Sequence, residues 1–269
     1  CTILPYPIYT WVINFLSKTI IFCSKSVAND YPQFSRKASI VYNGLPFPPI
    51  RDRSNAREEL ARKINIDSGV KLVAVVGALQ PRKDHMTFLA AAKQAGQNIT
   101  NAVFLIVGTG GKNYTNHIYR RIKELHLDSK VMLIGWWKDD IHDLLAAIDI
   151  LVISSEQESF GLTAIEALSM ETPVVATRCG GPEEIIRDGD TGLLVPVKDS
   201  FAMADAIMKL LQDEKLARRL GAEGRKHVSE QFSVDRYVHG IQNTIQETVT
   251  QKISGKIDFY SRNLKTKRG

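Results

Sequence analysis

From Lys71 onward the chain alternates short runs rich in β-branched residues with stretches of helical character, and that alternation leaves few folds open. The expected strands are Lys71 to Val76, Ala102 to Val107, Lys130 to Ile134, Asp149 to Ile153, Pro173 to Ala176 and Gly192 to Val195. Helices are expected in the gaps, near Asp84 to Gln97, Asn113 to Leu125, Asp140 to Ala147, Gly161 to Ser169 and Gly181 to Arg187, then through Ser200 to Gln212 and Glu214 to Glu230. Strand and helix in this rhythm make an α/β fold with a Rossmann-like, doubly wound parallel sheet of six strands. A last helix, Ser233 to about Lys252, begins where serine can cap it and has no seventh strand to return to.

The segment before this sheet follows the same grammar but is too short to stand alone. Thr19 to Cys23 and Ala38 to Tyr42 read as strands flanking a helix over Lys25 to Tyr31, and Asn43-Gly44 with Pro46, Pro48 and Pro49 breaks the pattern as a linker does. The expected division is therefore a remnant of an earlier α/β domain over 1–47, a ligand-binding domain over 48–232, a C-terminal helix over 233–251 and a basic tail over 252–269. The chain opens on Cys1 in mid-pattern, which reads as a fragment or processed product. The apolar stretch Ile8 to Leu16 is too short to span a bilayer and is expected to be a core helix.

Composition narrows the function classes. With 269 residues, 44% hydrophobic and 24% charged, the chain has an ordinary globular balance. Its net charge of +6 suggests nucleic acid, but Lys252 to Gly269 holds six bases against Asp258, so the rest of the chain carries only +1. Nucleic-acid binding is not expected. The tail, with Phe259 and Tyr260, is compatible with contact at an anionic membrane surface and equally with a solvated terminus.

The three cysteines, Cys1, Cys23 and Cys179, form no C-x-x-C pair, so neither a disulfide framework nor a zinc site is expected and a reducing, cytoplasmic setting follows. The sequons at Asn98 and Asn113 then read as chance matches. No histidine has ligand spacing with a cysteine or carboxylate, and Asp188-Gly-Asp190 reads as turn chemistry rather than a metal motif. No metal is expected, and no Ser-His-Asp arrangement is visible.

The chemistry concentrates where strands end. Glu158-Ser-Phe-Gly-Leu-Thr-Ala-Ile-Glu166 follows an apolar strand and sets two carboxylates around a glycine turn and a helix start. Free N–H groups at Phe160 to Thr163 and the helix dipole can hold a phosphate, and Gly161 permits close approach. Glu166, roughly 7 Å further in, is placed to reach the two hydroxyls of a nucleotide ribose, with Glu158 facing the other side of the phosphate. Two blander readings stay open: Glu166 pairs with an internal base or lies on an exposed stripe, and Glu158 is a solvated loop acid.

Other turns point to the same sheet edge. Gly77-Ala-Leu-Gln-Pro-Arg82-Lys83 places two adjacent cations after the first strand, where they can neutralise a diphosphate or simply be solvated. Gly108-Thr-Gly110-Gly111 is half of a dinucleotide fingerprint. Gly135-Trp136-Trp137 offers either a stacking surface for a base or packing groups under a loop, and Gly180-Gly181 opens another helix where N–H groups can meet an anion.

Taken in order, these motifs resemble the C-terminal domain of the retaining glycosyltransferases of group 1, or family 4, which share the two-domain GT-B fold. The resemblance runs from about Thr19 to Glu247 and includes Ile20 to Ser24, Val41-Tyr-Asn-Gly44, Gly77 with Lys83, Val131 to Gly135, Ala147-Ile-Asp149, the E-x7-E element, Pro173 to Thr177, Gly180-Gly181 and Asp188 to Val195. It implies metal-independent transfer from a nucleotide sugar, UDP- or GDP-linked, with retention of anomeric configuration and no resident cofactor. By position it gives Lys83 the donor diphosphate, Glu158 the sugar hydroxyls, Phe160, Gly161 and Leu162 the phosphates through backbone amides, and Glu166 the ribose. Glu158, Lys83 and Arg82 would carry the catalytic work; Gly77, Gly135, Trp136, Gly180 and Gly181 would complete the donor site.

Two departures stand out. The family arginine five positions before the lysine is here Ala78, for which Arg82 is the available substitute. The N-terminal domain, which in the family supplies the acceptor site, is largely absent. The acceptor, whether glycan, lipid or small molecule, is unreadable, as is any membrane association on the cytoplasmic face. The rival readings are a noncatalytic nucleotide-binding module and a GT-B epimerase or phosphorylase.

Overall fold

The structure, a computed structural model, describes the backbone of residues 6–265 and the side chains of residues 10–250. It divides into two compact units, one of residues 1–44 with 234–269 and one of residues 45–233. In the first unit, helix α1 (Tyr6–Leu16) precedes strand β1 (Ile20–Phe22), helix α2 (Lys25–Asn29), a 3-10 turn at Pro32–Lys37 and strand β2 (Ala38–Ile40). Ser24 caps α2 by accepting from Val27 N at 3.0 Å, and β1 pairs in parallel with β2, Ile20 opposite Ala38. The expectation that the first apolar stretch is a core helix fails. Trp11 and Phe15 stack on each other at 5.4 Å yet are 65% and 74% exposed.

The second unit contains helix α3 (Arg53–Ile64), then β3 (Lys71–Val76), α4 (His85–Asn98), β4 (Ala102–Val107), α5 (Lys112–Glu124), β5 (Val131–Gly135), α6 (Ile141–Ala147), β6 (Ile150–Ile153), α7 (Leu162–Ser169), β7 (Val174–Thr177), α8 (Gly181–Ile185), β8 (Leu193–Val195), α9 (Ser200–Gln212) and α10 (Glu214–Gln231). All six strands are parallel in the order β5-β4-β3-β6-β7-β8. Helices α4, α5 and α9 pack side by side, as do α3 with α6 and α7 with α10. Central strands covered on both faces need no polar alternation, and Leu72, Val73, Ala74, Ile150, Leu151, Val174 and Val175 are accordingly fully buried.

The last helix, α11 (Val234–Lys265), belongs to the first unit, where Thr244 and Thr248 hydroxyls meet those of Ser39 at 3.0 Å and Thr19 at 2.7 Å. It continues past its expected end, through a stretch with no proline to stop it. The side chains of the basic tail lie outside the described residues. Among the described residues, no helix is long and apolar enough to cross a membrane.

The sheet order sets where a ligand can bind. From β3 the chain winds outward through β4 to β5, then returns to lay β6 against the other side of β3, so β3 and β6 form the topological switch point. No single crossover helix joins these two strands. Their ladder pairs Val73 with Ile150 and Ala74 with Leu151, whereas β3 and β4 pair over six residues. At the amino edge the gap is closed by Asp149: its carboxylate accepts from Leu72 N at 2.7 Å and its own N–H donates to Leu72 O at 2.8 Å. Arg57 binds the same carboxylate at 2.5 Å and also donates to the carbonyls of Val70, Ser68 and Ala147. Both side chains are about 15% exposed, at 14% and 15%.

A nearly buried carboxylate deprived of its main partner is costly, so Arg57→Ala should lower the unfolding free energy by about 3 kcal/mol in urea titration. Arg218→Ala, which breaks the exposed i,i+4 pair with Glu214 and a long bond to the Glu214 carbonyl, should change it by less than about 0.5 kcal/mol.

Candidate active site

At the carboxyl edge β3 runs into Gly77, with φ 147°, and β4 into Gly108, with φ 141°. A Cβ on Gly108 would lie 1.8 Å from Gly77 O and one on Gly110 would lie 2.1 Å from Leu79 O, so these glycines let one loop lie directly on the next. The half-fingerprint Gly108-Thr-Gly110 is therefore a packing device, with protein backbone where a phosphate would have to approach.

Beyond Gly77 the chain makes a 3-10 turn at Pro81–Lys83 and reverses at Asp84, whose left-handed φ of 44° starts α4. The Asp84 carboxylate caps that helix, accepting from Thr87 N at 3.1 Å and from Thr87 Oγ1. The reversal brings Lys83 back beside Gly77, where a Cβ would stand 3.8 Å from Lys83 Cε. There Lys83 Nζ donates to Glu158 Oε2, forming an ion pair whose side chains are 18% and 13% exposed, with Ser155 Oγ 3.5 Å from the same oxygen. Glu158 is not a solvated loop acid. Arg82, by contrast, donates to Gln80 Oε1 at 3.1 Å and to Gln157 O at 3.4 Å.

The backbone around the pair is cross-linked. Ser154 Oγ donates to Lys83 O at 2.7 Å and Glu156 N to Arg82 O at 2.8 Å, joining the loops after β3 and β6. Glu158 N donates to Cys179 O at 3.2 Å and Gly181 N to Glu158 O at 2.9 Å, joining the loops after β6 and β7. Gly181 is required there because a Cβ would fall 2.3 Å from Phe160 O. Gly180 N donates to Glu183 Oε2 at 2.9 Å, so both glycine N–H groups have partners within the protein.

The helices are not all capped alike. Asp52, Asp84, Asp140, Asp199 and Asp213 cap α3, α4, α6, α9 and α10 through their carboxylates. Helix α7 starts instead at Gly161, with φ 103° and no side-chain cap. An acidic cap would compete with an anion, and its absence leaves the first-turn amides of Leu162 and Thr163 without one. Phe160 packs its buried ring edge-on against Phe232 at 5.6 Å. Glu166 lies one turn into α7, partly buried. Among the described residues no hydrogen bond or ion pair engages its carboxylate, and burial raises its pKa while the nearby His142 opposes that shift.

The expected residues do not all converge. Gly135 and Trp136 share the carboxyl edge but end β5, three strand spacings from β6, or roughly 14 Å. Trp136 is 71% exposed. Trp137 is the packing group of the two: Lys63 Nζ sits 4.5 Å over its ring and its Nε1 donates to Asp140 O at 3.2 Å. Asp188 is turn chemistry as read, accepting from Leu194 N at 2.9 Å and pairing with Arg178 at 2.6 Å.

Two histidines join the site unannounced by the sequence. His142, on α6, faces Glu166 only because α6 packs beside α7. His85 is buried behind Lys83, its Nδ1 3.3 Å from Tyr114 Oη, and burial together with the Lys83 charge lowers its pKa to about 4, so it is neutral at physiological pH. Its one signal was adjacency to Lys83-Asp84.

Residues 56–227 match the family described as glycosyl transferases group 1. The chain is 37% identical over 157 residues to N-acetyl-alpha-D-glucosaminyl L-malate synthase of Bacillus anthracis, covering 58% of this chain and 40% of that one. It is 30% identical over 216 residues to D-inositol 3-phosphate glycosyltransferase of Corynebacterium efficiens, covering 78% and 50%. The chain thus spans about half the length of these relatives. Among solved structures, Anabaena Alr3699/HepE in complex with UDP and glucose superposes with a TM-score of 0.82 at 21% identity, over 89% of this chain and 66% of that one. The C-terminal domain of a glycosyl transferase group 1 family protein from Francisella tularensis gives 0.62 at 26%, over 70% and 96%.

Because the folded pKa of Glu166 is raised, the folded state binds its proton more tightly than the unfolded chain does. Stability from this group is greatest below its ordinary value, near pH 4, and falls as pH rises through the raised one. Glu166→Gln should therefore melt higher than the wild type at pH 7.5 and lose that advantage at pH 4, read as the difference between paired thermal melts. An equal difference at both pH values would count against a strained carboxylate.

Proposed function

Since the chain belongs to the group 1 glycosyl transferases, we propose that it carries the donor-binding half of a metal-independent, retaining glycosyltransferase. The observation that carries this reading is what stands at the switch point, where open α/β sheets bind ligands in a crevice: the Lys83–Glu158 pair, the glycine-started α7 and, one turn on, the unengaged carboxylate of Glu166. A nucleotide sugar supplies a match for each. Its diphosphate meets Lys83 and the first-turn amides of α7, its sugar hydroxyls donate to Glu158, and its ribose diol donates to the two oxygens of Glu166. A buried carboxylate without an internal partner is costly, and two hydroxyl donors are what it needs.

In the transfer, the bond from the anomeric carbon to the phosphate oxygen breaks and its electron pair leaves with the nucleoside diphosphate, whose growing charge Lys83 and the α7 dipole stabilise. The acceptor hydroxyl oxygen forms the new bond on the same face, and its proton passes to the departing phosphate oxygen. No enzyme nucleophile and no resident cofactor are needed. Trp136, exposed at the same edge, is available to a nucleotide base. The complexes of the Anabaena protein with UDP and with UDP-glucose support a uridine donor, with a guanosine donor as the alternative.

Thermal melts with a panel of UDP-, GDP- and ADP-sugars test the reading. One nucleotide class should raise the melting temperature, and Glu166→Ala should remove most of that rise. No shift with any donor would overturn the donor site.

A further inference from the structure

We propose that Glu158 makes this crevice discriminate between a nucleotide sugar and the nucleoside diphosphate left after transfer, favouring the first and expelling the second. The proposal rests on the reading of the crevice as a nucleotide-sugar site. Its basis is the ion pair itself. Lys83, the cation available to a diphosphate here, is held by Glu158 Oε2, and both side chains are largely withdrawn from water. The backbones of both partners are anchored. The Lys83 backbone is fixed by Gln80 O at 3.0 Å and by Ser154 Oγ, and that of Glu158 by Cys179 O and Gly181 N. Any diphosphate that takes Lys83 must therefore do so within reach of a carboxylate, in a site with little water to screen the two negative charges.

The two ligands differ in what they offer that carboxylate. A nucleotide sugar brings hydroxyls that donate to Glu158 and replace the bond it surrenders. A free nucleoside diphosphate brings only further anionic oxygens, so Glu158 loses Lys83, gains no donor and repels the terminal phosphate. Arg82 stands apart from the pair, with Nε donating to Gln80 Oε1 and Nη1 to Gln157 O. One residue thus adds affinity for the substrate and subtracts it from the product.

Titration calorimetry on the full chain with UDP and UDP-glucose, and in parallel with GDP and GDP-mannose, tests this in wild type and Glu158→Gln. For the nucleotide that the wild type binds, the variant should bind the diphosphate about tenfold more tightly and the nucleotide sugar more weakly, on the scale of one charge-assisted contact. In a Lys83→Gln background the gain for the diphosphate should shrink, since the competition for Lys83 has gone. Melting curves without ligand establish that each variant is folded. A variant that weakens both ligands equally, or changes neither, overturns the proposal while leaving the donor site standing. Failure of the wild type to bind any of the four overturns both.

Discussion

Parallel strands that belong to opposite halves of a doubly wound sheet lie side by side with no helix of their own to hold them together. In this chain a single carboxylate supplies the missing restraint. Asp149 closes the amino ends of β3 and β6 by bridging both backbone groups of Leu72, and Arg57 both neutralises it and gathers the carbonyls of the surrounding turns. With the strands pinned at that edge and paired over two residues beyond it, their carboxyl ends are left to loops. The crevice is thus a consequence of where the sheet is fastened. At the amino edge Asp149 is satisfied by Arg57 and Leu72; at the carboxyl edge Lys83 and Glu158 pair with each other, while the Glu166 carboxylate has no hydrogen bond or ion pair among the described residues.

The helix starts are not all capped alike. Aspartate at five caps satisfies amides that have no other use, each worth about 1 kcal/mol to its helix. Glycine at the start of α7 forgoes that stabilisation, and one turn on the helix carries a carboxylate whose burial works against it. Both are local costs with no structural return, which is how a binding site differs from a core. The buried strands and the Asp149 clamp offset them.

Much of this was legible in the sequence because buried parallel strands are continuous apolar runs with glycine turns at their ends. The six strands were read to within a residue, and the small shifts have local causes: Pro173 has no N–H to give, and Asp149 uses its side chain just before the ladder begins. Helix α3 escaped because its buried stripe is only Ala56, Leu60 and Ala61 among charges, too narrow to show as a period. The apolar stretch that became α1 misled in the opposite sense, since apolarity marks a surface that needs covering and does not say whether a cover exists. At the candidate site, the Glu158–Glu166 spacing and the Arg82-Lys83 pair fall on the loops that end β6 and β3. That Lys83 and Glu158 meet, that Arg82 turns to Gln157, and that His142 faces Glu166 depend on loop crossings and helix packing, which no single stretch of sequence encodes.

The cross-linking of the three loops after β3, β6 and β7 has a bearing on selectivity. Loops that close around a ligand can be choosy by refusing to close, spending binding free energy on rearrangement. Here every loop is already tied to its neighbour through backbone atoms, and glycines lie at the tightest crossings. Little ordering entropy remains to be lost on binding, and little adaptability remains to be exploited. Within this unit, choice among ligands must therefore be made the way a rigid template makes it, by whether hydroxyl and phosphate oxygens arrive where fixed donors and acceptors already stand.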